Sequence, residues 1–85
     1  MERGEQIMVT FHLFEITAEK AIYKYYPESE TEKYGIVSVD RRTFKRKIEK
    51  LCEGYGDEYA FHALSYIERY ARNNSFKESG KSVWY

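Results

Sequence analysis

The residue best suited to chemistry is His62, which shares one side of a predicted helix with two tyrosines and an arginine. Tyr59, His62, Tyr66 and Arg69 follow one another at i, i+3, i+7 and i+10, a spacing that forms a single stripe on a helix. A histidine among tyrosines and an arginine is typical of general acid–base catalysis or of phosphate contact. Catalysis also needs an orienting carboxylate and a pocket, which spacing alone does not provide. We therefore favour a boundary histidine over a catalytic one.

The other residue types that perform chemistry are scattered singly along the chain. His12, Cys52 and His62 lack the close-spaced ligand pair of zinc sites, and Cys52 is predicted to be a small buried apolar residue. Asp40 is accounted for by turn formation and Asp57 by capping of the next helix. The sequence thus predicts no catalytic residue, no metal site and no cofactor, and we expect a protein that is not an enzyme.

Tyrosines are the most unusual component of the chain, with nine in 85 residues. Several lie on or beside neighbouring predicted strands, close in sequence to basic residues. Aromatic rings among cations on a sheet are typical of single-stranded nucleic-acid binding, but tyrosine is also enriched in protein interfaces and in cross-strand pairs that stabilise a sheet. The predicted interaction surface consists of Tyr23, Tyr25, Tyr26, Tyr34, Arg41, Arg42, Tyr59, His62, Tyr66 and Arg69.

The charge balance limits the partners. Fourteen basic and fourteen acidic residues give a formal net charge of zero, which weighs against a dedicated nucleic-acid binder. A local basic run at residues 41–50 is most simply a solvated surface. The apolar stretch at residues 7–14 is too short to span a bilayer, and a single cysteine fits a reducing compartment. We expect a soluble cytoplasmic protein that does not contact a membrane.

The 85 residues are predicted to form one domain, 1–85, of the α+β class. Alternating apolar residues predict strands at residues 7–14, 21–26 and 34–40. Residues 43–52 fit either a fourth strand or a helix, with a small preference for the strand. A helix is predicted over residues 57–72, a loop with a turn at Gly80 over residues 75–82, and a short tail strand at 83–85.

We predict that these elements form an antiparallel sheet of three to four strands, with the C-terminal helix packed across one face and the tail added as a short strand. In the second strand, Ile22 and Tyr26 share one face and Tyr23 and Tyr25 the other, and we assign Ile22 to the core. The predicted core consists of Val9, Phe11, Leu13, Ile22, Val37, Val39, Ile48, Ala63, Leu64, Ile67 and Trp84.

One pattern of residues runs through the chain in a recognisable order. It comprises Tyr26-Pro27-Glu28, the segment Gly35-Ile36-Val37-Ser38-Val39-Asp40, Thr43, His62-Ala63, Phe76, Gly80 and the closing Trp84-Tyr85. The chain is similar in this to a set of small bacterial proteins of uncharacterised activity, over about residues 20–85. The resemblance implies a bacterial origin and favours the strand at residues 43–52, but it implies no activity. Phe44 departs from the pattern, since a glycine is usual at that place in the turn.

Three functions follow as expectations from these residues. The first is a small non-enzymatic interaction or regulatory module, with another protein or a second copy of the chain as its partner, since a small domain with a large aromatic sheet tends to expose an apolar patch. The second, less favoured, is single-stranded nucleic-acid binding through residues 41–50 and the sheet tyrosines. The third is a small enzyme centred on His62.

Overall fold

The computed structural model describes residues 7–84. It contains five antiparallel strands in the spatial order β4-β3-β2-β1-β5 and one helix near the C-terminal end. The predicted α+β fold is confirmed, with four strands and a tail strand in the sheet. The predicted end of the tail, Tyr85, lies outside the described residues. The elements are β1 (Ile7–Ile16), β2 (Lys20–Pro27), β3 (Gly35–Asp40), β4 (Arg46–Lys50), α1 (Glu58–Arg72) and β5 (Ser79–Trp84).

Within the ambiguous segment at residues 43–52, Arg46–Lys50 form a strand because the turn before them closes a hairpin. The Asp40 carboxylate accepts hydrogen bonds from the backbone N–H groups of Arg42 and Thr43, at 2.8 and 2.9 Å. The backbone N–H of Asp40 donates to the carbonyl oxygen of Lys45. Phe44 adopts a φ of 64° in this turn, a left-handed conformation that favours glycine. Phe44 therefore stands, where the resemblance led us to expect a glycine, at a position of backbone strain.

The predicted loop at residues 75–82 was wrong for its second half. Residues from Ser79 onward form β5, which pairs with β1 in an unbroken register from Ile7↔Trp84 to His12↔Ser79. Gly80 lies opposite Phe11 rather than in a turn. A Cβ at Gly80 would come within 2.5 Å of the Phe11 ring, so the glycine allows that ring to lie over the strand.

Helix α1 covers one face of the sheet. Asp57 occupies the N-cap position, as predicted, but makes no side-chain cap hydrogen bond, and the helix ends at the C-cap Asn73. The helix buries a narrow stripe with three alanines, namely Ala60, Ala63, Leu64, Ile67 and Ala71. Within residues 7–84, no helix combines the length and the apolar character needed to cross a membrane.

The core lies between α1 and the sheet, and most of the predicted core is confirmed there. Leu13, Ile48 and Trp84 are half-buried at its margin. In addition to the predicted residues, the fully buried large side chains include Tyr23 and Tyr25, which were predicted to lie on the interaction surface. The buried apolar residues of the sheet are Val9, Phe11, Ala21, Tyr23, Tyr25, Val37 and Val39.

Strand β2 has the opposite orientation to the one predicted. Tyr23 and Tyr25 are completely buried, so they do not belong to an accessible interaction surface, and Ile22 lies half-buried on the far side of the sheet. Beneath α1 the Tyr23 ring packs against the rings of Phe11 and Tyr70, and the smaller isoleucine side chain offers less apolar area for such contacts. The hydroxyls also have partners, because Tyr23 donates to the carbonyl oxygen of Lys77 and Tyr25 accepts from the backbone N–H of Cys52.

Candidate binding face

The helix stripe centred on His62 is occupied by packing contacts. The His62 ring stacks on Trp84, with 3.5 Å between ring centroids and planes 5° apart. Tyr66 packs beside Phe11 at 5.7 Å, and the Arg69 guanidinium lies 5.2 Å over Tyr66. Within residues 7–84, no carboxylate forms a hydrogen bond with His62. The structure therefore brings the four stripe residues to one side of α1 but surrounds them with aromatic rings.

Tyr59 joins the same stripe to the loop that follows β2. Its hydroxyl donates to the Glu28 carboxylate at 2.7 Å, and Tyr55 donates in the same way to Glu30 at 2.9 Å. Burial and the hydrogen bond to Glu28 raise the pKa of Tyr59 to about 12. Both phenols thus remain protonated donors at neutral pH, where they hold the loop against the helix.

The basic run at residues 41–50 is divided between the two sides of the sheet. Arg41 donates to the carbonyl oxygen of Thr17 at 2.7 Å, and Arg46 forms an ion pair with Glu68 of α1 at 2.6 Å. Arg42 is exposed in the turn. Because successive side chains of a strand point to opposite faces, Lys47 lies on the side away from α1. The run is therefore not one continuous patch.

The face of the sheet opposite α1, which we call the open face, carries no helix or strand among the described residues. Phe14 and Val83 are 54% and 40% exposed there, and His12 is exposed as well. The strand register places the following side chains on this face: Met8, Thr10, His12, Phe14, Glu15, Lys20, Ile22, Lys24, Tyr26, Ile36, Ser38, Asp40, Lys47, Lys50, Ser79, Lys81 and Val83. Glu49 joins them through its hydrogen bond with Ser38.

Aromatic rings and lysines form a row across the middle of the open face. Tyr26 contacts His12 on one side and Tyr34 on the other, with ring centroids 5.8 and 5.7 Å apart. The ammonium groups of Lys24 and Lys50 each lie 4.6 Å from the centroid of Tyr34. Cations at this distance are attracted by the ring face, so both ammonium groups contact the Tyr34 ring.

The open face is richer in cations than the chain as a whole. The lysines are Lys20, Lys24, Lys47, Lys50 and Lys81, whereas the strand positions supply three carboxylates, Glu15, Asp40 and Glu49. Two of these carboxylates already have partners. Asp40 accepts hydrogen bonds from backbone N–H groups of its turn, and Glu49 accepts from the Ser38 hydroxyl at 2.8 Å and pairs with two lysines. The Ser38 hydrogen bond, with help from those lysines, lowers the pKa of Glu49.

Three shallow hollows mark the open face and its rim. The largest, about 460 Å³, is lined by Thr10, His12, Tyr26, Glu30 and Thr31. A second, about 280 Å³, is lined by Lys20, Ser38, Asp40, Lys45, Arg46, Lys47 and Glu49. A third, about 170 Å³, is lined by Glu32, Lys33, Tyr34, Lys50 and Glu53.

Of the ten residues predicted for an interaction surface, Tyr26 and Tyr34 lie on or beside the open face. Tyr59, His62, Tyr66 and Arg69 lie along α1, and Tyr23 and Tyr25 lie in the core. The prediction did not include Lys24, Lys50 or His12, which surround the two open-face tyrosines. Strict alternation in the second strand was the available signal, since Lys24 and Tyr26 share one face of β2.

The fold and this face together define a small α+β protein whose sheet, within residues 7–84, is covered on one side only. Comparison with models of protein families, with curated proteins and with solved structures finds no match for the chain.

Proposed function

We propose that this chain is a small, non-enzymatic interaction module that binds its partner on the open face of the sheet. The observation that carries the proposal is the aromatic row flanked by lysines, in which His12 is exposed and Tyr26 and Tyr34 are half-buried on that face. The charge–ring contacts within the row contribute little to folding, because such contacts at a protein surface are worth only about 0.5–1 kcal/mol. Their concentration on one face is better explained by a partner that covers them.

The other face gives no comparable opportunity for binding. Its aromatic rings pack against one another beneath α1, and the described residues contain no buried side-chain polar atom without a hydrogen-bond partner. The stripe of His62 stacks on Trp84 and is linked to the loop after β2 through Tyr59. We therefore assign these contacts to holding the fold together.

A cytoplasmic location is part of the same proposal. It is supported by Cys52, which is the only cysteine in the chain and is buried. Burial raises the pKa of the Cys52 thiol, which keeps it in its unreactive protonated form. A protein with one buried, reduced thiol does not depend on an oxidising compartment for its stability.

Affinity capture from a lysate of the producing cells tests the binding face. The baits are the unchanged protein, a variant with Tyr34→Ala and Lys24→Gln, and a control with Phe61→Ala. Phe61 is an exposed aromatic residue, 47% accessible, on the helix rather than on the sheet. We expect a macromolecule that the unchanged and control baits retain and the open-face variant loses. Equal retention by all three baits would refute the assignment of the face.

A second copy of the chain is a separate candidate partner, and it fits the β5 edge better than the open face. The outer strand β4 has four charged residues out of five and an irregular register with β3, features that block strand addition at an edge. The other outer strand, β5, has Lys81 as its only charged residue and a regular register with β1. Antiparallel pairing of two β5 edges would extend the sheet across both copies.

Light scattering over a range of protein concentrations tests this edge pairing. We expect a dimer that Val83→Lys disrupts, because a charge at an edge strand opposes pairing. Leu51→Lys is the matched control, since Leu51 is 50% exposed and lies beyond β4. A strict monomer at high concentration, or equal effects of the two substitutions, would eliminate the edge as a self-association site.

A further inference from the structure

We propose that the partner of the open face is single-stranded RNA. This inference rests on the proposed function, because it names the ligand of the same face. It is carried by three features of that face: the charge of its lysines, the row of its aromatic rings, and the polar groups that line the hollow beside Tyr26.

The charge of the face selects an anionic partner. Lys24, Lys50 and Lys81 form no ion pair with any carboxylate within residues 7–84, so their ammonium groups are available to a ligand. Protein interfaces are depleted in lysine at their centres, whereas lysine is a usual ligand of phosphate. Two copies packed through this face would bring like charges together, which costs binding energy. A phosphate backbone instead gains from every one of these lysines.

The rings select a partner with planar groups. His12, Tyr26 and Tyr34 follow one another at 5.8 and 5.7 Å across β1, β2 and the start of β3. A row of this kind offers successive stacking surfaces to unpaired bases. A duplex keeps its bases stacked on one another, so it leaves these rings without a partner. The alternation of rings with Lys24 and Lys50 places cations beside the stacking surfaces, where the backbone between two bases would run.

The hollow beside Tyr26 favours ribose over deoxyribose. Its walls carry the hydroxyls of Thr10 and Thr31, which can donate and accept, and the Glu30 carboxylate, which accepts from the Tyr55 hydroxyl and has further acceptor capacity. A ribose 2′-hydroxyl both donates and accepts, and it can therefore form hydrogen bonds with these groups. Deoxyribose has no hydroxyl at that position and would form none of these hydrogen bonds.

Fluorescence anisotropy with a labelled single-stranded RNA of about ten nucleotides, within the usual range for a sheet surface, tests the inference. We expect binding at low salt that weakens steeply as salt increases. Tyr34→Ala is expected to weaken binding by about fivefold or more, since it removes one stacking surface. Lys24→Gln is expected to reduce the salt slope by about one.

Two control variants and a second ligand make the result decisive. Phe61→Ala and Lys77→Gln remove an exposed ring and an exposed charge outside the open face, and we expect binding equal to that of the unchanged protein. DNA of the same sequence is expected to bind more weakly. No binding to RNA at low salt, equal losses in the control variants, or tighter binding of DNA would each overturn the inference.

The capture experiment separates failure of this inference from failure of the proposed function. A partner protein that survives nuclease treatment, and that the open-face variant loses, would refute RNA as the ligand and support the binding face. Material that disappears with ribonuclease, from the unchanged bait and the Phe61→Ala bait alike, is the result expected here. Absence of any open-face-dependent partner would refute both.

Discussion

The two faces of this sheet are built from alternate residues of the same strands, yet they differ in almost every physical respect. Beneath α1, Tyr23 and Tyr25 are fully buried and their hydroxyls are bonded to backbone groups. On the open face, Tyr26 is half-buried and is bounded by His12, Tyr34 and Lys24 on the surface.

The difference shows that a tyrosine in a strand has two distinct uses. In the core, its ring fills a large volume, and its hydroxyl must find a partner because an unpaired buried polar group is costly. On the open face, the Tyr26 ring is half-buried beside His12 and Tyr34, and no hydrogen bond holds its hydroxyl within residues 7–84. Substitutions should therefore affect stability on the covered face and binding on the open face.

The largest expected effect is at Gly35, where β3 passes under a buried ring. A Cβ at this position would lie 2.1 Å from the Tyr25 ring, and a packed core resists such an insertion. We expect Gly35→Ala to lower the free energy of unfolding by about 3 kcal/mol or more, measured by urea denaturation. Gly56→Ala is the control, with its nearest atom at 3.3 Å. Equal effects at the two glycines would contradict the packing described here.

Alkaline pH should also act on the covered face. Burial raises the pKa values of Tyr23, Tyr25 and Tyr70, and it raises that of Tyr59 to about 12. The unfolded chain therefore loses these protons at lower pH than the folded chain does. The tyrosines make their full contribution to the free energy of unfolding below about pH 10, and that contribution falls as the pH rises toward 12. Thermal unfolding over this pH range should show the decline. A midpoint that stays constant up to pH 12 would contradict these shifts.

Removal of a single hydroxyl distinguishes the two faces directly. Tyr25→Phe leaves the backbone N–H of Cys52 without the acceptor it has at 3.1 Å in the core. We expect a loss of about 1–3 kcal/mol in the free energy of unfolding. Tyr26→Phe, the same change one residue along β2, should stay within about 0.5 kcal/mol. Equal losses in the two variants would remove the distinction between the faces.

Two substitutions of Phe44 distinguish the effect of backbone strain from the effect of side-chain packing. Both Phe44→Ala and Phe44→Gly remove the ring, which lies under the Arg72 guanidinium at 4.6 Å, but only glycine accepts a φ of 64° without strain. We therefore expect the glycine variant to be more stable than the alanine variant by about 1 kcal/mol, as determined by urea denaturation. The opposite order would show that the turn relaxes when the ring is removed.

The smallest stability effects are expected for open-face lysines. Lys24→Gln and Lys81→Gln should each change the free energy of unfolding by less than about 0.5 kcal/mol, because they are surface positions without an ion pair in residues 7–84. The same variants should show their effect in ligand binding. A loss well above this limit would show that the open face contributes to the fold itself.

Much of the architecture could be predicted from local chemistry. Alternating residues indicated the first three strands, Asp40 marked the turn after β3, and the apolar stripe indicated the helix. Residues 43–52 remained ambiguous because Phe44, Ile48 and Cys52 fit both periods. The choice came from the turn hydrogen bonds around Asp40, which close a hairpin.

The candidate site was less predictable, because its members depend on which face the helix covers. Tyr26 and Tyr34 were predicted as members of it, but Tyr23 and Tyr25, which are buried in the core, were wrongly grouped with them. The basic run was treated as one surface, although Arg46 bonds to Glu68 on the helix side and Lys47 lies on the other. Gly80 was predicted as a turn residue because its contact, Phe11, is about seventy residues earlier in the chain.

The amino-acid sequence by itself determined the element types, their order and the division of each strand into two faces, because backbone periodicity and turn chemistry are local. The tertiary structure decided which of those faces is buried. In β2 both faces carry tyrosine, so the alternation of side chains alone does not show which face is buried. The decision came from distant residues: Tyr70 of α1 packs against the Tyr23 ring, and Cys52 and Lys77 supply hydrogen-bond partners for Tyr25 and Tyr23.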